Sequence, residues 1–275
     1  MEQEILRKLQ LVQLEIAKEI KRVAEKLGLK CFLVYGTLLG AVRHQGFIPW
    51  DDDLDVGLLR EEYDEFLQKA PGLLRDAYEL VTYRSEKAYP FPFAKVMKKG
   101  TVYMEERNQA SFRQGIFVDV FPFDRYPADP ELKASQSAEL RKIRALLRAK
   151  CRYKTWKEDG KTDWKRYLKN LPVRALSVFK NKDKLVEQYE EITKRYDAED
   201  GGDFFPPDMV RLGREYIPKE SVHSFTELPF EDTKFLCPAG YDAYLTVLYG
   251  DYMTLPPVEK RANRHQVLKL EFGEW

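Results

Sequence analysis

Leu9, Val12, Ile16, Ile20, Val23 and Leu27 recur at three- and four-residue steps, with Lys and Glu filling the positions between them. That spacing predicts an amphipathic helix from Leu6 to Leu27, ended by Gly28. The apolar run Cys31 to Tyr35 suits a buried strand; it stops at Gly36-Thr37, after which Leu38 to Val42 can open a short helix. Asp53 to Leu58 reads as a strand and Glu61 to Lys69 as a helix. Further strands are expected at Glu79–Arg84, Ala94–Met97, Val102–Glu105 and Gly115–Val120, with Pro122 and Pro127 closing that region. Thr226–Leu236 suits a hairpin, and Tyr241–Leu248 a helix ending at Gly250. Mixed helices and strands favour an α/β or α+β layered fold.

Between these parts, from Glu131 to about Lys184, the pattern is mostly helical, with breaks expected at Gly160 and Pro172. A further helix is expected over Asp183–Tyr196, then a loop marked by Gly201-Gly202 and Pro206-Pro207. Charge sets this part off. From Lys133 to Lys184 there are 17 Lys and Arg against 5 Asp and Glu, while the whole chain carries only +1. The default meaning is a solvated helical face. The functional meaning is an anionic acceptor or membrane surface. Nucleic acid is a third reading, unsupported by any motif.

The chain has 275 residues, 44% hydrophobic and 33% charged, so it can bury a core without disulfide or metal staples. Cys31, Cys151 and Cys237 match no zinc spacing and suit a reducing compartment. Residues 1–30 hold no apolar leader, and no apolar run approaches membrane-spanning length, so the expectation is a cytoplasmic protein.

The sharpest feature is Pro49-Trp50-Asp51-Asp52-Asp53-Leu54-Asp55-Val56. On an extended chain Asp51, Asp53 and Asp55 would share one face, with Leu54, Val56 and Leu58 on the other. Clustered carboxylates repel one another, and a hard divalent cation, Mg²⁺ or Mn²⁺, would relieve that repulsion. A solvated acidic loop is the plain alternative. An EF-hand loop fits Asp51, Asp53, Asp55 and Glu62 but puts Val56 where glycine belongs. The Asp-x-Asp of a nucleotide-sugar glycosyltransferase is a third reading. Upstream, a strand, the Gly36-Thr37 turn and a helix start would make a phosphate cradle. This layout resembles nucleotidyltransferase-fold enzymes, which carry a third carboxylate on a later strand. The candidate here is Asp119, between Val118 and Val120, where an Asp is costly to bury unless it ligates metal or is paired with an Arg.

The run from Gly36 through Val56 closely resembles the signature of the LicD family, which includes bacterial phosphocholine transferases and is related to the fukutin group. The likeness continues weakly through Phe93-Ala94-Lys95-Val96 and Thr101, and well through Phe117–Pro122. It resumes at Tyr249–Tyr252, Leu255–Pro257, Lys260-Arg261 and His265. It implies a nucleotidyltransferase-like mixed sheet flanked by helices: a core over 1–130, a basic helical insert over 131–220, and a C-terminal part, 221–275, returning to the core. The insert carries no matching motif. The resemblance further implies transfer of a phospho-alcohol from a CDP-linked donor to a glycan hydroxyl, releasing CMP. Asp53 and Asp55 would bind the metal, with Asp51 and Asp119 completing the site. No zinc is expected, because the cysteine-bearing loop of some fukutin-like relatives is absent.

Asp119 is the first candidate for the base that takes the hydroxyl proton, with Asp51 its rival. Gly36 and Thr37 would cradle the donor, and Lys95, Arg43 and Arg261 are candidate phosphate contacts, each also readable as plain surface charge. His265 and His44 could touch substrate, though a lone His is more often structural. Trp50 could stack on a ligand or simply pack. The partners expected are a CDP-linked donor and a glycan acceptor, lipid-linked in one reading, with peripheral contact at the inner membrane leaflet and no nucleic acid. An NTP-dependent nucleotidyltransferase, a nucleotide-sugar glycosyltransferase and a non-catalytic glycan or membrane binder remain alternatives.

Overall fold

The computed structural model describes residues 2–108, 114–158, 160–198, 202–207, 216–263 and 265–273. Helix α1 (Gln3–Leu27) forms on the expected stripe, and Leu9, Val12, Ile16, Ile20 and Val23 are fully buried. Gly28 ends it at φ 73°, a left-handed turn that glycine adopts without a Cβ clash.

A mixed sheet carries the core. Its strands are β1 (Phe32–Leu33), β2 (Asp55–Leu59), β3 (Tyr78–Val81), β4 (Ala94–Lys98), β6 (Phe117–Arg125), β10 (Phe225–Phe230) and β11 (Thr233–Pro238), in the order β10-β11-β1-β2-β6-β4-β3. β1 runs parallel to β11 and antiparallel to β2; β2 runs parallel to β6; β6 runs antiparallel to β4. α1 lies against β4 and β6, and α3 (Arg60–Lys69) against β2 and β6. α2 (Tyr35–His44) and α7 (Tyr241–Tyr249) pack together. Outside this sheet, β5 (Val102–Glu105) pairs with β12 (Val267–Glu271), so the C-terminal segment returns to the first half of the chain.

The basic segment holds α4 (Pro130–Lys150), the small hairpin β7 (Lys157–Glu158) and β8 (Lys161–Thr162), α5 (Trp164–Val178) and α6 (Lys182–Lys194). α4 packs on both α5 and α6, and α6 reaches β6. β9 (Phe204–Phe205), in the stretch expected as a loop, adds to the end of β6; Gly201 lies outside the described residues.

Four expectations need correction. The strand holding the acidic run starts at Asp55, not Asp53. Gly36 and Thr37 are not a turn ahead of a helix but its first turn, since α2 begins at Tyr35. Pro122 does not close β6, which runs on to Arg125. β4 pairs only as far as Val120 and β9 begins at Asp124, so on that side the proline faces no strand that needs its missing N–H. Pro172 does not break α5 either. Pro172 and Leu168 are both exposed, so water can satisfy the Leu168 carbonyl that loses its helical donor.

Candidate active site

The site is built where β2, β6 and β4 lie side by side. Asp55 on β2 pairs in register with Asp119 on β6, which pairs with Lys95 on β4. Residues directly opposite share a face, so the three side chains form one row across the sheet. The next row, Val56, Val120 and Ala94, points to the other face and is buried. Period-two alternation is therefore what aims a charged side chain out of each strand while its neighbour enters the core.

Ahead of β2 the chain does not alternate. The Asp51 N–H donates to the Ile48 carbonyl at 2.9 Å, closing a turn through Pro49 and Trp50. Two glutamines on the buried face of α1 then hold the loop: the Gln10 amide donates to the Asp51 carbonyl and the Gln13 amide to the Asp52 carbonyl, each at 2.9 Å. Because these carbonyls bind side chains instead of a strand, Asp52 is not turned away from its neighbours. One carboxylate oxygen from each of Asp51, Asp52 and Asp53 lies within 4.8 Å of the others.

Gly36 and Thr37 both face this loop. A Cβ on Gly36 would stand 2.8 Å from Oδ2 of Asp51, so only glycine lets that carboxylate approach the first turn of α2. Negative charge is favoured there by the helix dipole. The buried Thr37 hydroxyl accepts the Asp55 N–H at 2.9 Å. The turn expected to cradle a phosphate thus places Asp51 and Asp55. Just before it, Tyr35 sits at φ 51°, a strained setting for a side chain. Packing holds it, with its ring edge-on to Phe121 at 5.5 Å.

The electrostatics follow from crowding. Burial pushes the Asp55 carboxyl well up, and Asp53, Asp119 and Asp51 push it further, against relief from Lys95. Burial also raises Asp119, to about 6, although the Lys95 ammonium opposes the rise. Lys95 lies 2.5 Å from Oδ1 of Asp119 and 3.2 Å from the centre of the Phe117 ring. It therefore stands as the counter-charge of Asp119.

His265 arrives from the C-terminal segment. Its Nδ1 lies 3.0 Å from Oδ1 of Asp52, and its Nε2 3.9 Å from Glu105. Burial works against its charged form, but the hydrogen bond to Asp52 and the charges of Glu105 and Asp53 outweigh it and carry its pKa to about 10. It meets a carboxylate of the cluster, and Asp52 is the acid that alternation had set aside.

A cationic wall stands beside Trp50. The Arg261 guanidinium lies 5.3 Å from the Trp50 ring centre, and its Nε donates to the Pro256 carbonyl. Arg43 donates to the Tyr252 carbonyl at 2.6 Å and to the His44 Nε2. Burial lowers the pKa of Arg43, and the like charge of Arg261 lowers it further. Neither arginine forms an ion pair with a carboxylate among the described residues. The sequence reading missed Gln10, Gln13, Asp52 and Glu105. The two glutamines left a signal: polar residues one step from Leu9 and Val12, on the stripe that should be apolar.

Fold and site together define a mixed α/β protein with a carboxylate-lined pole on the inner strands of its sheet, flanked by an arginine pair. The nucleotidyltransferase domain described as LicD/FKTN/FKRP matches residues 28–142, which include every acid of the row and the loop. The lipopolysaccharide cholinephosphotransferase LicD of Haemophilus influenzae is 30% identical over 267 residues, 94% of this chain and 96% of that one. The chain belongs to the LicD family. The human ribitol 5-phosphate transferase FKRP is 44% identical over 48 residues, covering 18% of this chain and 10% of that protein. An uncharacterized protein of Rickettsia prowazekii is 32% identical over 115 residues, 41% of this chain and 39% of its own.

Proposed function

We propose that the protein is a phosphotransferase that moves phosphocholine, or a similar phospho-alcohol, from a CDP-linked donor to a hydroxyl of a surface glycan, releasing CMP. The observation that carries this reading is the acidic pole, Asp51, Asp53, Asp55 and Asp119, set near two guanidiniums that have no carboxylate partner among the described residues. The length of the match to a cholinephosphotransferase supports the choice of transferred group.

An all-oxygen donor set with mutual repulsion fits a hard divalent cation, magnesium or manganese. Asp53 and Asp55 would hold it, with Asp51 and Asp119 completing the set. When bound it supplies neutralising charge for the diphosphate of the donor.

The protein's own groups do the rest. Arg43 and Arg261 bind the donor phosphates, which relieves their repulsion. The acceptor oxygen attacks the phosphorus of the phospho-alcohol, the phosphoanhydride bond breaks, and CMP leaves with its electron pair. The hydroxyl proton passes to Asp119. With its pKa near 6, that carboxyl is ionised at neutral pH yet basic enough to accept a proton. Until that transfer Lys95 balances the negative charge of the carboxylate. Asp51 is the rival base.

Thermal unfolding with Mg²⁺ and a panel of CDP-choline, CDP-ethanolamine, CDP-glycerol, CDP-ribitol, CTP and UDP-sugars tests the donor. A ligand at about 100 times its dissociation constant adds about 2.7 kcal/mol, a shift of several degrees. A shift with one CDP-alcohol that EDTA abolishes is expected. A shift with CTP or a UDP-sugar alone would replace this reading with a nucleotidyltransferase or glycosyltransferase. Asp53→Asn should remove nearly all turnover, and substantial CMP release by that variant would sink the metal assignment.

A further inference from the structure

α5 carries two apolar faces where a packed helix needs one. Val173 and Ser177 turn inward where α5 lies along α4. Trp164, Leu168, Leu171, Ala175 and Val178 recur at four- and three-residue steps, and Phe179 follows at the helix end. These positions form a second stripe, and it faces solvent. Trp164 is 67% exposed, Leu168 60%, Val178 68% and Phe179 86%. A contiguous apolar stripe of this kind marks a docking surface.

The charge around it says what docks. From Trp164 to Lys182 the chain has six Lys and Arg and no Asp or Glu. Lys165, Lys169 and Lys180 are exposed and have no carboxylate partner among the described residues. A second copy of this face would bring two sets of like charges together. An anionic surface would neutralise them. The stripe begins on a Trp and ends on a Phe, side chains suited to the boundary between headgroups and acyl chains. The helix has 15 residues, and no helix among the described residues is long and apolar enough to cross a membrane, so α5 can only lie in the interface.

We propose that α5 binds an anionic lipid surface. The stripe from Trp164 to Phe179 inserts to the level of the upper acyl chains, and Lys165, Lys169 and Lys180 meet the headgroup phosphates. This holds whatever chemistry the carboxylate pole performs.

The test is co-sedimentation of the full chain with vesicles of phosphatidylglycerol and phosphatidylcholine in equal parts, against phosphatidylcholine alone. The protein should partition to the anionic vesicles. The variant Leu168→Glu with Val178→Glu and the variant Lys165→Glu with Lys169→Glu should each bind about tenfold more weakly. All four positions are exposed, and unchanged melting curves would show that both variants fold. Vesicles with brominated acyl chains should quench tryptophan fluorescence in the parent, and Trp164→Phe should remove most of that quenching. Absence of binding to anionic vesicles would overturn the proposal, as would equal binding by the Leu168/Val178 variant. So would light scattering that finds a dimer which that variant disperses, without vesicle binding.

Discussion

The Thr37 hydroxyl sets where β2 begins, because it accepts the N–H of Asp55, the first residue of that strand. Thr37→Val keeps the shape and leaves that donor unpaired at a half-buried position. It should cost about 1 kcal/mol of stability and lower kcat more than KM, because the acid is displaced and binding groups are not. Thr37→Ser should restore both, as melting and CMP release would show. Asp55 itself tests the crowding. Its carboxyl is raised in the folded state, so its ionised form opposes folding at any pH above its ordinary value of 3.8. In EDTA-treated protein at neutral pH, Asp55→Asn should therefore raise the melting temperature while abolishing turnover. The gain should shrink as pH falls and disappear below about 3.8, where both states are protonated. A variant no more stable than the parent at neutral pH would mean that the acids do not repel as described.

At the scale of elements, Glu231 shows how distant segments hold the acidic loop. It sits at the turn between β10 and β11, accepts two hydrogen bonds from Arg7 on α1 at 2.5 and 3.0 Å, and a third from the Phe47 N–H at 3.1 Å. A Cβ on Gly46 would stand 2.5 Å from its carboxylate, so a side chain there would push Glu231 off these partners. Glu231→Gln should lower stability by about 1–2 kcal/mol, and urea denaturation would measure it. Local pattern made α1, β5, the β10–β11 hairpin and α7 legible in the sequence, because each carries its own periodicity or turn residues. Partners far apart in sequence were not legible. Phe32 pairs with Leu236, and nothing in either short run names the other. The acidic run was recognisable as chemistry, and Asp119 as a third acid through the likeness to nucleotidyltransferase-fold enzymes, but its place in register beside Asp55 was not. The loop geometry of the run was not legible either, because Gln10 and Gln13 take the carbonyls that a strand would have used.

The molecule as a whole closes on its site from the C-terminal side. Residues 252 to 271 supply the Tyr252 carbonyl to Arg43, the Arg261 guanidinium over Trp50, His265 to Asp52, and β12 to β5. The His265–Asp52 pair ties this segment to the loop, and Asp52 is 1% exposed. His265→Ala would leave a buried carboxylate without its counter-charge. Full breakage of a buried pair costs about 3–5 kcal/mol; with the imidazole partly exposed, about 2 kcal/mol is expected. Adding Asp52→Asn removes the stranded charge, so the double variant should be more stable than His265→Ala alone. pH gives an independent check. The pKa of His265 is raised to about 10, so its contribution is complete below its ordinary value of 6.5 and fades as pH rises through about 10. The stability gap between parent and His265→Ala should therefore be widest near pH 6, below that ordinary value, narrow through neutrality and close in strong alkali. If the gap is the same at both pH values and the double variant is simply additive, the C-terminal segment is held by β12 alone and His265 is a bystander to Asp52.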